Sequence, residues 1–217
     1  MLPIHKNSTD PLRQYRSTPN ACYDNCPKEA LKDSLLREQN FLCAYCMARI
    51  TKDTMSIEHW KCQSDNCDLE LSYSNLLAVC SGNEGQPPRK QHCDTRKSNR
   101  NLTYNPANSE HHARLRIRYT RLTGKIESED TAFCLELGGE QRGTEGVLNL
   151  NYEQIMNNRL AVIGRVEQEM NKLPQNAKRS QIRQLIERWK TANGQGELPE
   201  YAGVAIYFLE KRLARAQ

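Results

Sequence analysis

A chain of 217 residues is long enough to bury a real hydrophobic core without staples, yet this one is wet, with 37% hydrophobic residues, three Phe and a mean hydropathy of −0.81. Its net charge of +5, from 31 basic and 26 acidic residues, is only mildly cationic, and no apolar run approaches the ~20 residues of a membrane span, so no membrane partner is expected. Nine cysteines follow a start, MLPIHKNSTDPLRQ, that lacks an apolar signal-peptide core; this points to a reducing cytoplasm, where cysteine clusters are metal ligands more often than disulfides.

Residues 1–28 carry Pro3, Pro11, Pro19 and Pro27 and read as an extended polar arm. PKEALKDSLLREQN then opens on a helix-starting proline, sets Leu31, Leu35 and Leu36 on one side and ends at Asn40. That helix delivers the chain into FLCAYC, where Cys43 and Cys46 form a C-x-x-C turn. Such a turn supplies two thiolates of a tetrahedral zinc site from one backbone bend. Cys80 and Cys93 are the expected second half, although a 12-residue loop separates them. Cys62, Cys67 and His92 compete for the same places, and Cys22, Cys26 and Cys134 have no assignment.

DTMSIEHW reads as a short strand with Met55 and Ile57 on one face, ending in Glu58-His59. SGNEGQPPRKQH is a loop. CDTRK opens a helix on which Asp94 and Lys97 share a face. A strand end thus presents a carboxylate and an imidazole to a carboxylate and an ammonium. Mg²⁺ binds through a few carboxylates plus phosphate oxygens and waters, and an imidazole near neutral pKa suits proton removal from water. Together these are the parts for metal-assisted phosphodiester hydrolysis.

From Arg89 to Arg121 nine Lys/Arg stand against Asp94 and Glu110, a local excess of +7 that suits phosphate binding or a solvated charged surface. Within it, ARLRIRYTRLTGKIES alternates Leu115, Ile117 and Tyr119 with Arg114, Arg116 and Arg118 and turns at Thr123-Gly124. The pattern predicts a hairpin with one apolar and one basic face. His111-His112 is expected on the surface, because adjacent strand residues point to opposite faces. Beyond about residue 147 the period becomes helical. The first helix has Asn151 as N-cap and Ile155, Met156, Leu160, Ile163, Val166 and Met170 at 3–4 spacing. A second carries Ile182, Leu185, Ile186 and Trp189, and a third begins at Pro199.

The combination of C-x-x-C, Glu-His, Asn75 and a cysteine pair ending in C-x-x-x-K resembles the HNH (ββα-metal) endonucleases with a zinc knuckle. LLREQNFLCAYC, IEHW, LSYSNLLAVC, HCDTRKS and LNLNYEQIMNNR carry the match, which spans roughly residues 31–160. The finer pattern is similar to the HNH subunit of Septu anti-phage systems, found also as an accessory protein in some retrons. The resemblance implies an α+β fold. Its ββα-metal core, with a structural zinc knuckle and the basic hairpin, would occupy residues 29–146, after the arm at 1–28 and before a helical, partner-docking region at 147–217.

It further implies His59 as the general base and Glu58 and Asp94 as ligands of a catalytic Mg²⁺ (or Mn²⁺). Asn75 would orient His59 or brace its loop, and Lys97 would sit near the scissile phosphate. Structural Zn²⁺ would bind Cys43, Cys46, Cys80 and Cys93, and nucleic acid, DNA favoured over RNA, would meet Arg96, Arg100, Arg114, Arg116 and Arg118. An ABC/SMC-like ATPase (PtuA-like) is the implied protein partner. Two departures stand out: Asp94 occupies a place where many HNH enzymes have His or Asn, and Trp60-Lys61-Cys62 replaces the usual apolar-Pro continuation. The alternative reading is a non-catalytic zinc-knuckle nucleic-acid-binding or adaptor protein, which has no need for Glu58, His59 and Asp94 to converge.

Overall fold

The computed structural model describes residues 1–7, 9–138, 146–173 and 179–216. Helix α1 (Lys28–Glu38) starts at Pro27 and buries Leu31, Leu35 and Leu36, as its spacing requires. The chain then reverses through Asn40 and Phe41, both at positive φ, into the C-x-x-C turn. Strands β1 (Met55–His59) and β2 (Leu76–Cys80) pair antiparallel, from Met55↔Cys80 to His59↔Leu76. Helix α2 (Cys93–Lys97) and α1 both pack against β2. Covered in this way, Leu76, Leu77, Ala78 and Val79 are all buried, which is why this strand reads as an unbroken apolar run.

The edge of β2 is completed by a side chain. Gln39 is buried at the end of α1; its Nε2 donates to the carbonyls of Leu42 (2.9 Å) and Ala78 (2.7 Å), and its Oε1 accepts from the Ala78 N–H (2.8 Å). The amide thus stands in for a neighbouring strand. Gln39→Ala leaves the Ala78 N–H without that partner inside the core, and stability should fall by about 1–3 kcal/mol. A lower urea midpoint at unchanged m-value is the expected reading; an unchanged midpoint would show the bond to be dispensable.

Short helix α3 (Ser109–His112) leads into the hairpin of β3 (Ile117–Tyr119) and β4 (Ile126–Ser128). Its turn needs Gly124, at φ +67°, because a Cβ there would come 2.4 Å from the Met156 carbonyl. Helix α4 (Thr131–Gly138) folds back on β4 and buries Phe133 and Leu137. Neither α3 nor α4 is foreseen by periodicity, which needs more turns than these offer. His111 and His112 lie on a helix rather than a strand, and their rings bind the loop before it, at Asn105 N–H (3.0 Å) and the Pro106 carbonyl (2.8 Å).

Helices α5 (Glu153–Asn171), α6 (Arg179–Lys190) and α7 (Ala202–Arg215) complete the chain. Tyr152, not Asn151, takes the N-cap position of α5. The Asn151 amide pairs instead with both backbone groups of Ile126, at 2.8 and 3.1 Å, extending the sheet edge.

Two apolar clusters result. The smaller joins Val166 of α5 to Ile182, Ile186 and Trp189 of α6 and Ala205 and Leu209 of α7. The larger runs from Met1 to Val204 and differs from the expected division of the chain in two ways. Residues 1–27 are not a free arm: Ile4 and Leu12 are buried, Ile4 N–H bonds the Pro106 carbonyl, and 3-10 turns form at Tyr15–Ser17 and Tyr23–Asn25. Nor does residue 147 mark a break, because Leu148, Leu150, Ile155 and Ile163 all belong to the larger cluster. The C-terminal stripes expected to dock a partner are therefore largely consumed within the chain. Among the described residues Leu122, at the hairpin tip, is the large apolar side chain left exposed, at 87%. No helix among them is long and apolar enough to cross a membrane.

Candidate active site and metal centre

Four cysteines meet beneath the β1–β2 sheet. Cys43 and Cys46 bracket the turn after α1, Cys80 ends β2, and Cys93 starts α2. The long loop between the last two closes on itself, for His92 N–H donates to the Gly82 carbonyl at 2.9 Å. Gly82, at φ +61°, permits the clasp, since a Cβ there would sit 1.8 Å from the His92 oxygen. All four Sγ atoms lie within 4.8 Å of one another, with Cys46–Cys80 at 3.8 Å and Cys43–Cys93 at 3.9 Å. Zn–S bonds of about 2.3 Å in a tetrahedron place sulfurs about 3.8 Å apart, so the donor set fits that ion. The competitors fall outside it. Cys62 bonds Asp65 and Cys67 is exposed, while His92 Nδ1 stays at the margin, 3.3 Å from the Cys93 sulfur.

The chemistry-bearing side chains gather at the other end of β1, where His59 pairs with Leu76. Glu58 and His59 are buried, and α2 brings Asp94 and Lys97 to the Glu58 carboxylate. Lys97 Nζ is 2.5 Å from Glu58 Oε1 and donates to the His59 carbonyl at 3.0 Å, while Tyr45 Oη donates to the same carboxylate at 3.3 Å. Burial, then the bond to Asp94, push the Glu58 carboxyl up to about 8, against the pull of Lys97. Two carboxyl groups beside one ammonium, one of them holding a proton near neutral pH, offer oxygen donors to a cation that would displace that proton. That donor set fits a divalent cation.

Lys97 departs from expectation. It is 0% exposed and ion-paired with Glu58, a fixed counter-charge to that carboxyl. Asn75 bonds to its own loop and, among the described contacts, makes no bond to His59. Its Oδ1 accepts from Lys61 N–H (2.8 Å) and its Nδ2 donates to the carbonyls of Lys61 (3.1 Å) and Leu69 (3.2 Å), which braces the 60–75 loop.

That loop fixes His59 through a backbone carbonyl. His59 Nε2 lies 2.9 Å from the Glu70 oxygen. A carbonyl only accepts, so Nε2 carries the proton and Nδ1 keeps the lone pair. Burial holds the ring below its ordinary pKa, hence neutral at pH 7. Tyr23, a residue with no sequence signal, packs edge-on against the imidazole at 4.4 Å. Burial foremost, with the nearby charges of Cys26, Asp94 and Glu58, raises the Tyr23 hydroxyl pKa. The N-terminal segment therefore lies over the site, and His59 is only 9% exposed.

The basic residues divide. Arg114, Arg116 and Arg118 are all exposed, but of the three Arg118 alone lies on β3: Arg114 sits in the turn after α3 and Arg116, at φ +39°, precedes the strand, with Arg116 and Arg118 reaching Glu129 at 3.7 and 3.8 Å. Arg96 Nη1 donates to the Pro88 carbonyl at 3.1 Å. Arg100 donates to the carbonyls of Arg96, Lys97 and Val147 and so ties the end of α2 to the chain before α5, a structural task.

No protein-family model matches the chain. Among curated proteins it is similar to a candidate HNH endonuclease of retron Ec83 from Escherichia coli, 34% identical over 80 residues. The match covers 31% of this chain and 31% of that protein, so it spans under a third of either. This partial likeness supports kinship with HNH nucleases.

Proposed function

We propose that the chain is a metal-dependent HNH endonuclease that hydrolyses phosphodiester bonds of nucleic acid, DNA in the first place, on a ββα-metal core of β1, β2 and α2. One observation carries this reading: Glu58 and Asp94 share a point beside a neutral His59 whose tautomer is fixed with the Nδ1 lone pair available. Glu58 and Asp94 hold Mg²⁺ or Mn²⁺, which when bound supplies Lewis-acid stabilisation of charge on the phosphate. His59 Nδ1 takes the proton of the attacking water. Lys97 holds Glu58 in place, and Asn75 fixes the loop whose Glu70 carbonyl orients the imidazole. Zn²⁺ on Cys43, Cys46, Cys80 and Cys93 is structural. A zinc-knuckle binding module explains the cysteines and the exposed arginines but gives no reason to bury Glu58 and Lys97 together beside Asp94, which is costly.

The test is incubation of plasmid DNA, single-stranded DNA and RNA with the protein in Mg²⁺, in Mn²⁺ and in EDTA. An ABC/SMC-like ATPase, proposed as partner on family likeness alone, is co-expressed in a parallel arm. Metal-dependent cleavage is expected; none on any substrate in either arm would overturn the proposal.

Two further results are expected. Tyr23 has to swing aside for a phosphodiester to reach the imidazole, so Tyr23→Ala should speed carbethoxylation of His59 several-fold by mass spectrometry. An unchanged rate would mean that Tyr23 does not cover the site. Arg114, Arg116 and Arg118 contact phosphates, so neutralising all three to Gln should reduce the log–log salt slope of binding by roughly 0.7–0.9 per lost contact. An intact slope would leave that face merely solvated.

A further inference from the structure

The Trp60-Lys61 pair that replaces the usual apolar-Pro continuation has no task in the chemistry above. It borders a cleft of about 310 Å³, lined by Trp60, Lys61, Ser72 and Ser74 of the 60–75 loop and by Asn105 and Asn108 of the chain before α3. The cleft shares this loop with the candidate active site. Leu69 lines it, and the carbonyl of the next residue, Glu70, is the one that holds the His59 imidazole. Its walls are fixed from behind: the Trp60 backbone N–H donates to the Asn75 carbonyl at 2.9 Å, and Asn105 Nδ2 donates to the Ser74 carbonyl at 3.1 Å.

The lining has three properties. Trp60 is half-buried and its Nε1 has no hydrogen-bond partner, although a buried indole placed for packing usually finds one. No carboxylate lines the cleft, and Lys61 Nζ, 4.8 Å from the centre of the Trp60 ring, pairs with none among the described residues. The remaining groups offer neutral donors and acceptors. The Ser72 and Ser74 hydroxyls lie 3.1 Å apart with capacity to spare, and Asn108 uses its Oδ1 on the Glu110 N–H while its Nδ2 makes no bond among the described residues. A nucleotide matches all three: a flat face for the indole, a polar edge for the amides and hydroxyls, and a phosphate for the ammonium.

We infer that this cleft is the subsite for one unpaired nucleobase of the strand that the active site cuts. The inference rests on the nuclease reading above and adds to it a preference for single strands. The cleft has room for one base and not for a base pair with its two backbones, so the base enters from a single strand or after leaving its stack. Trp60 is then a binding residue and plays no part in moving protons.

The experiment uses the full chain without added Mg²⁺ or Mn²⁺, so that nothing is cut. A short DNA strand, its RNA counterpart, the DNA duplex and an abasic DNA strand of equal length are titrated against tryptophan emission. The DNA or RNA strand should quench Trp60, and the abasic strand should not, with the buried Trp189 as a constant background. Trp60→Leu should lose the quenching and bind the intact DNA strand about 5–150-fold more weakly, the value of one base–aromatic stack, while binding the abasic strand as wild type does. Should Trp60→Leu fail to fold, the contrast between intact and abasic strands in wild type carries the same test. Binding of the intact strand without quenching, or equal affinity of wild type and Trp60→Leu for it, would overturn the inference and leave the nuclease reading intact. Quenching with no metal-dependent cleavage would uphold base binding and overturn the nuclease. No binding of any strand would overturn both.

Discussion

His59→Ala should lower the rate of phosphodiester cleavage by about 10²–10⁴-fold, the usual effect of removing a positioned general base. Zinc content and affinity for nucleic acid should stay near wild type, because the cysteines and the arginine face do not depend on the imidazole. The size of the effect follows from how completely the ring is prepared: neutral through burial, its proton parked on Nε2 by the Glu70 carbonyl. A partner substitution separates base from metal. Asp94→Asn weakens the divalent site, so its activity should partly return at high Mg²⁺, whereas that of His59→Ala should not. Glu58 is a poorer choice, since its loss strands the buried Lys97 ammonium and confounds catalysis with folding. Wild-type rates in His59→Ala, under conditions where cleavage needs metal, would place the active site elsewhere.

Loss of the structural metal should have the largest effect on stability. Structural zinc contributes on the order of 10–16 kcal/mol in small zinc-binding folds, as much as the whole 5–15 kcal/mol that keeps an ordinary domain folded. Here the four sulfurs join the turn after α1, the end of β2 and the start of α2; α2 carries Asp94, and β2 pairs with β1, which carries Glu58. Prolonged chelation or Cys43→Ser should therefore abolish the cooperative transition of this part of the chain and expose it to protease. The separate cluster between α5, α6 and α7 should retain helical signal longer, because its contacts do not include the cysteines. Protein purified without chelator and found to hold no zinc would refute the site. An unchanged melting temperature after verified metal removal would reduce it to a bystander.

Local physics fixed much of this molecule in its sequence. The C-x-x-C turn, the leucine face of α1 and the stripes of α5 to α7 are repeats within a few residues and form near where their period says, whereas the alternation expected from Arg114 onward is a strand only over Ile117–Tyr119. The residues proposed for hydrolysis, Glu58-His59 and Asp94, stand out in the sequence for the same reason. Partners distant along the chain were not. Which cysteines complete the set was decided by the Gly82–His92 clasp, which joins Cys93 to Cys43 across 50 residues. Lys97 was expected near the scissile phosphate, and folding set it against Glu58, 39 positions away, while Tyr23 became part of the site only because the N-terminal segment packs inward. Arg159 carries the lesson furthest. Its helical spacing placed it on the buried face, but its Nη1 bonds the Gly124 carbonyl 35 residues away, a partner that no local pattern encodes.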